Sequence, residues 1–106
     1  MRIQSKALRD SARGETCTLA IVGACQGNTE TVVLAHLPDE SHGMSRKSDD
    51  IAACFACADC HDVIDGRRHW PGTERNEESW YKARAMVRTW RRWIDMGLVT
   101  VKGVKR

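Results

Sequence analysis

Residues 54–65, CFACADCHDVID, place three cysteines at intervals of three and a histidine directly after the last of them. Thiols grouped in this way form disulfides, hold an iron–sulfur cluster, hold a structural zinc ion or support a catalytic metal. Cys57-Ala-Asp-Cys60 is a C-x-x-C knuckle, in which a tight turn points both sulfurs at one ion. Cys17 and Cys25 bracket an apolar run nearer the N-terminus. The two pairs together offer four thiolates, the complement of a closed tetrahedral zinc site.

The chemical setting favours metal over disulfides. Five cysteines leave one over from any pairing, and the N-terminus, MRIQSKALRDSARG, is polar and charged with no apolar signal core. A cytoplasmic protein of a bacterial host cell, with reduced thiols, is therefore expected, and no run reaches membrane-spanning length. Cys54 makes a second C-x-x-C with Cys57, as in part of a ferredoxin-like iron–sulfur motif. That motif has a fourth nearby Cys followed by Pro, which the run here lacks. The expected ligands are thus Cys17, Cys25, Cys57 and Cys60 for structural zinc, with Cys54 a buried spectator. The iron–sulfur alternative would give a brown protein.

Other side chains suit catalysis or anion binding. His61 follows Cys60, and Asp65 lies four residues on, hence on the same helical face, where the two can share an ion. His36 ends the run TVVLAHLP. His42 and His69 are further histidines in loops, and Arg67 and Arg68 follow the probable helix of His61 and could hold a phosphate. The net charge of +3 is unevenly placed. From Arg84 onward Lys and Arg recur while Asp95 is the sole acid, an asymmetry that points to a polyanion.

These residues need elements to position them. At 106 residues the chain is read as one domain with a marginal core. Residues 5–13 suit a short helix stopped at Gly14. The apolar runs 18–22 and 31–37 flank a Gly/Asn-rich turn and are expected to pair as a β-hairpin. Residues 38–50 are loop by composition, and IAACFA is either a short strand or a helical turn. DCHDVIDGR suits a short helix closed by Gly66. The longest helix is expected from about Glu77 to Met96, capped by Asn76 and stopped by Gly97. Its apolar stripe is read as Trp80, Ala83, Val87, Trp90 and Ile94, leaving Arg84, Arg88, Arg91 and Arg92 on an exposed flank for DNA. LVTVKGVKR reads as a terminal strand and basic tail.

Ala35-His36-Leu37-Pro38, Cys57-x-x-Cys60 and His61 together resemble the HNH, or ββα-metal, endonucleases. That pattern is a strand ending in His before a Pro, a second strand with a C-x-x-C knuckle, and a helix opening on Asn or His. Cys17 and Cys25 ahead of the His strand resemble the zinc-stapled branch typified by recombination endonuclease VII. ETCTLAIVGACQGNTETVVLAH and CADCHDVID resemble the prophage YbcO-like nucleases over residues 9–69. The resemblance implies an α+β, zinc-stapled ββα-metal (His-Me finger) fold with a long C-terminal helix. It implies a core at about 14–69 and a basic helix at about 77–96.

By the same resemblance, His36 is the general base toward water, and His61 and Asp65 hold a catalytic divalent ion, Mg²⁺ or Mn²⁺. Ala35 stands where many relatives carry a metal-binding Asp or His. Asp49 or Asp50 is the nearest counterpart of the middle Asn. The expected function is a metal-dependent DNA endonuclease of phage or prophage type, acting on duplex or branched DNA. The alternative is a non-catalytic, zinc-stapled nucleic-acid-binding module, a degenerate nuclease.

Overall fold

The computed structural model describes residues 2–37, 49–72 and 75–105, apart from the side chains of Arg75 and Asn76. Pro38, His42 and the capping side chain of Asn76 lie outside the described residues. The chain is α+β. Helix α1 (Lys6–Asp10) precedes strand β1 (Val33–His36), strand β2 (Ala53–Ala56), helix α2 (Ala58–Ile64) and helix α3 (Arg75–Met96). Among the described residues no helix is long and apolar enough to cross a membrane.

The strands pair antiparallel, with Val33 opposite Ala56 and His36 opposite Ala53. Short and fully buried, β2 is the centre of the molecule: Ala53, Cys54, Phe55 and Ala56 are all inside. This resolves IAACFA as strand. It also corrects the expected hairpin, because residues 18–22 form no strand and the partner of β1 is β2. The 18–22 run is apolar chiefly because Leu19 and Ile21 are fully inside, whereas Val22 is exposed. Its backbone is nonetheless turned, with Ala20 at φ 45°. Only Thr18 meets the sheet, its N–H donating to the Phe55 carbonyl at 2.8 Å.

Local chemistry explains the helix ends. Ser5 caps α1 by accepting from the Leu8 N–H, and Gly66 and Gly97 follow α2 and α3 at φ 80° and 77°. Helix α3 begins two residues before the expected Glu77. Its buried row is Tyr81, Ala85, Thr89 and Trp93, not the expected Trp80–Val87 stripe. Trp93 meets Phe55 edge-on with ring centroids 6.1 Å apart, and its indole N–H donates to Ser11 Oγ at 2.7 Å. Trp90 is half-buried and donates to the Ile51 carbonyl at 2.9 Å. The expected terminal strand is absent; residues 97–105 are turns and irregular chain.

Candidate functional site

The four expected thiols converge. The sulfurs of Cys17, Cys25, Cys57 and Cys60 all lie within 4.8 Å of one another, three of the residues being buried. A zinc tetrahedron with bonds of about 2.3 Å has sulfur–sulfur edges of about 3.8 Å. Cys57 Sγ and Cys25 Sγ are 3.9 Å apart, so the group fits a tetrahedral ion such as zinc. The loop conformations serve this cluster. The Ala20 N–H reaches Cys17 Sγ at 3.5 Å, which accounts for the left-handed backbone at Ala20. Cys57 stands at the N-cap of α2 and Cys60 one turn in, where helix geometry and partial positive charge favour thiolates.

Without a cation, four thiols in this space cannot ionise together. The Cys17 thiol is lowered to about 5, chiefly by a hydrogen bond from Cys60, which outweighs its burial. Cys60 is driven up by that same contact and then by burial, and Cys25 is driven up first by burial. These are two faces of one coupling: the first thiolate is cheap and each later one is repelled. A divalent ion removes the repulsion. Cys54 is different: it is fully buried, outside the four-sulfur group, and pushed up to about 12 by burial and by the nearby Cys17 charge.

His36 ends β1, and its Nε2 lies 2.7 Å from Asp50 Oδ1. The His36 side chain is 38% exposed, whereas that of Asp50 is only 3% exposed. The second Asp50 oxygen accepts from the Ser5 N–H at 2.7 Å and from Arg9 Nη1 at 3.3 Å. The N-terminal segment is tied to the same place, with Ile3 N–H donating to Asp49 Oδ1 at 2.7 Å and Asp50 N–H to the Ile3 carbonyl at 2.9 Å. Burial opposes the Asp50 charge, but the Ser5 N–H, then His36, hold its carboxyl below the usual value. An ionised carboxylate thus fixes one nitrogen of a half-exposed imidazole. Sequence alone named Asp50 as a neighbour of the motif but gave no sign of Ser5 and Arg9, which meet it from more than forty residues away.

His61 and Asp65 also meet, His61 Nε2 lying 3.2 Å from Asp65 Oδ2 across one turn of α2. Asp65 additionally receives Arg67 Nη2 at 2.7 Å. Arg67 pairs further with Asp62, and Arg68 with Asp59 and the Gly23 carbonyl, so both arginines are engaged within the chain. His69 is exposed. His36 is at the end of the sheet that pairs with Ala53, whereas α2 departs beyond the Val33–Ala56 pair at the other end. Among the described residues no hydrogen bond or ion pair joins the His36–Asp50 pair to the His61–Asp65 pair.

On α3, the arginines are not equivalent. Arg84 donates to the Leu19 carbonyl at 3.0 Å, and Arg92 pairs with Glu15 at 3.1 Å. Arg88 and Arg91 are exposed and carry no ion pair among the described residues.

Residues 6–98 match the family model described as "Putative nuclease YbcO". The chain is 39% identical over 93 residues to the protein of that name from Escherichia coli (strain K12), covering 87% of this chain and 95% of that one. It is equally similar to the "Putative nuclease ybcO" of Enterobacteria phage 82, at 39% identity over 93 residues. A solved structure, that of a "putative bacteriophage protein" from Escherichia coli str. K-12 substr. MG1655, superimposes with TM-score 0.70 at 37% identity. It covers 86% of this chain and 100% of that one. With the family model spanning most of its length and relatives this similar, the chain belongs to the YbcO family of phage-type nucleases.

Proposed function

We propose that the chain is a metal-dependent DNA endonuclease of HNH type, in which His36 is the general base. The observation that carries this reading is the pairing of a half-exposed histidine at a strand end with a buried, ionised aspartate. Phosphodiester hydrolysis needs water to lose a proton as it attacks, and imidazole is suited to take it near neutral pH. Asp50 orients the ring and stabilises the imidazolium that results, the role a carboxylate plays beside any histidine base. Arg9 and the Ser5 N–H keep Asp50 ionised and in place.

His61 and Asp65 would hold the catalytic divalent ion, Mg²⁺ or Mn²⁺, their 3.2 Å separation allowing both to face one cation. Such an ion supplies charge neutralisation at the phosphate and at the leaving oxygen. Arg67 and Arg68 border that site and would exchange their carboxylate partners for DNA phosphate. The four cysteines and their zinc are structural.

Two observations favour the second reading, a zinc-stapled nucleic-acid-binding module without catalysis: the His36–Asp50 and His61–Asp65 pairs stand toward opposite ends of the sheet, and the position before His36 carries no ligand. Ala35 is buried in the core, so position 35 offers no ligand to a catalytic ion. Incubating the protein with plasmid and branched DNA across Mg²⁺, Mn²⁺ and Zn²⁺ separates the two. Cleavage that needs the added ion is expected. DNA binding with no cleavage under any ion would select the binding module. Within the catalytic reading, His61→Ala raises the concentration of metal needed for half-maximal rate.

A further inference from the structure

Trp80 is the anomaly of α3. It is 55% exposed, on a helix where Trp93 is buried and Trp90 half-buried, and Val87, two turns further on, is 47% exposed. Trp90 and Trp93 both place their indole N–H on an acceptor, whereas that of Trp80 has none among the described residues. A large aromatic left in water on a rigid helix is informative in a way that a lone surface leucine is not.

On its C-terminal side the neighbours are cationic, whereas Glu77 and Glu78 precede it in the first turn. Trp80, Arg84, Val87 and Arg91 fall at i, i+4, i+7 and i+11, a single row about 16 Å long. The Arg84 guanidinium lies over the Trp80 ring, 4.3 Å from its centroid, and 5.2 Å from that of Tyr81. Tyr81 also meets Trp80 edge-on at 5.1 Å. The indole is thereby braced by neighbours that are themselves anchored, Arg84 to the Leu19 carbonyl and Tyr81 to the Val22 N–H. Arg91 ends the row and Arg88 flanks it, both exposed and without an ion pair among the described residues.

We propose that Trp80 stacks on an unpaired base of the DNA, so that the substrate is DNA containing unstacked bases, such as a bulge, flap or junction, and not a perfect duplex. This rests on DNA being the substrate. In a perfect duplex the base faces are stacked on one another and offer an indole nothing. An unpaired base exposes a π-face, and every base has one, so such recognition tolerates any sequence. The row from Trp80 to Arg91 matches the axial rise of about five base-pair steps of duplex, long enough to reach from an unpaired base into the flanking backbone. Arg88 and Arg91 would then follow the backbone while Trp80 takes the base. An apolar protein partner fits less well, because Arg84, Arg88 and Arg91 flank the two exposed apolar side chains on the C-terminal side of Trp80, while the acids Glu77 and Glu78 are confined to the first turn of the helix.

The test is fluorescence anisotropy at fixed salt, with zinc-loaded protein and no added Mg²⁺, on a labelled perfect duplex and on the same duplex carrying an unpaired bulge. Wild type is expected to bind the bulged DNA more tightly. Trp80→Leu keeps apolar bulk against Tyr81 and Arg84 but has no π-face, and should lose about five- to hundredfold on the bulged DNA. On the perfect duplex it should lose less than about twofold, and Trp80→Phe should retain most of the preference. Equal losses on both DNAs, no loss, or Leu and Phe behaving alike would overturn the stacking role while leaving the nuclease reading intact. Failure of wild type to bind either DNA would overturn both.

Discussion

At the scale of the residue, two kinds of side chain are separated by what surrounds them. Cys17, Cys25, Cys57 and Cys60 are close enough to share the charge of one ion, whereas Cys54 lies outside that group and burial keeps its thiol protonated. One equivalent of zinc per chain is expected by elemental analysis. Cys57→Ser should lose it and the fold with it, because the ion's contribution, on the order of 10 kcal/mol, exceeds what so small a core can spare. Cys54→Ala should keep full zinc, and equal loss of zinc in both variants would show the ligand set to be wrong. Asp50 is the residue whose role was least legible. The sequence left Asp49 and Asp50 as equal counterparts of the motif's middle Asn, and only the convergence of His36, Ser5 and Arg9 singles out Asp50. Asp50→Asn keeps the shape but removes the charge that selects the histidine tautomer. It should lower kcat at least about tenfold with KM and zinc content nearly unchanged.

At the scale of the element, hydrophobicity located the segments better than their partners. Helix α3 was legible in length and end, yet its buried face was read nearly half a turn away from the row that is inside. Counting apolar side chains selected Trp80 and Val87, while the structure buries Tyr81 and Thr89. Those two go inside because their polar tips are satisfied there. Tyr81 Oη accepts from the Val22 N–H at 3.2 Å, and Thr89 Oγ1 meets Thr18 Oγ1 at 2.9 Å and the Phe55 N–H at 3.2 Å. The 18–22 run read as a strand for the complementary reason: it is apolar to fill the core, but its backbone is committed to wrapping Cys17. Trp93 anchors α3 to Phe55 and Ser11, so Trp93→Ala should cost about 3–5 kcal/mol, read as a lower midpoint in urea denaturation. On the outer face, Arg88 and Arg91 carry no ion pair among the described residues. Replacing both with Ala should flatten the slope of log affinity against log salt by about two units on duplex DNA, without change in thermal stability. An unchanged slope in the folded variant would place the DNA surface elsewhere.

At the scale of the whole molecule, the metal knuckles and the N-terminal segment divide the work of holding a short sheet in place. Cys17 and Cys25 bind the irregular chain before β1 to the start of α2. Residues 3–9 bind the chain before β2 to the end of β1 through Asp49, Asp50 and His36. A strong zinc chelator should therefore lower the melting temperature sharply, whereas a weak Mg²⁺ chelator should abolish cleavage and leave melting unchanged. The account stands or falls on whether the histidine held by Asp50 does the chemistry. The direct measurement is the rate of plasmid cleavage by His36→Ala at saturating Mg²⁺ or Mn²⁺, alongside its zinc content and DNA affinity. The account predicts a rate lower by about 10²–10⁴-fold with zinc and affinity close to wild type. Cleavage at the wild-type rate by a clean, folded preparation of this variant would contradict it.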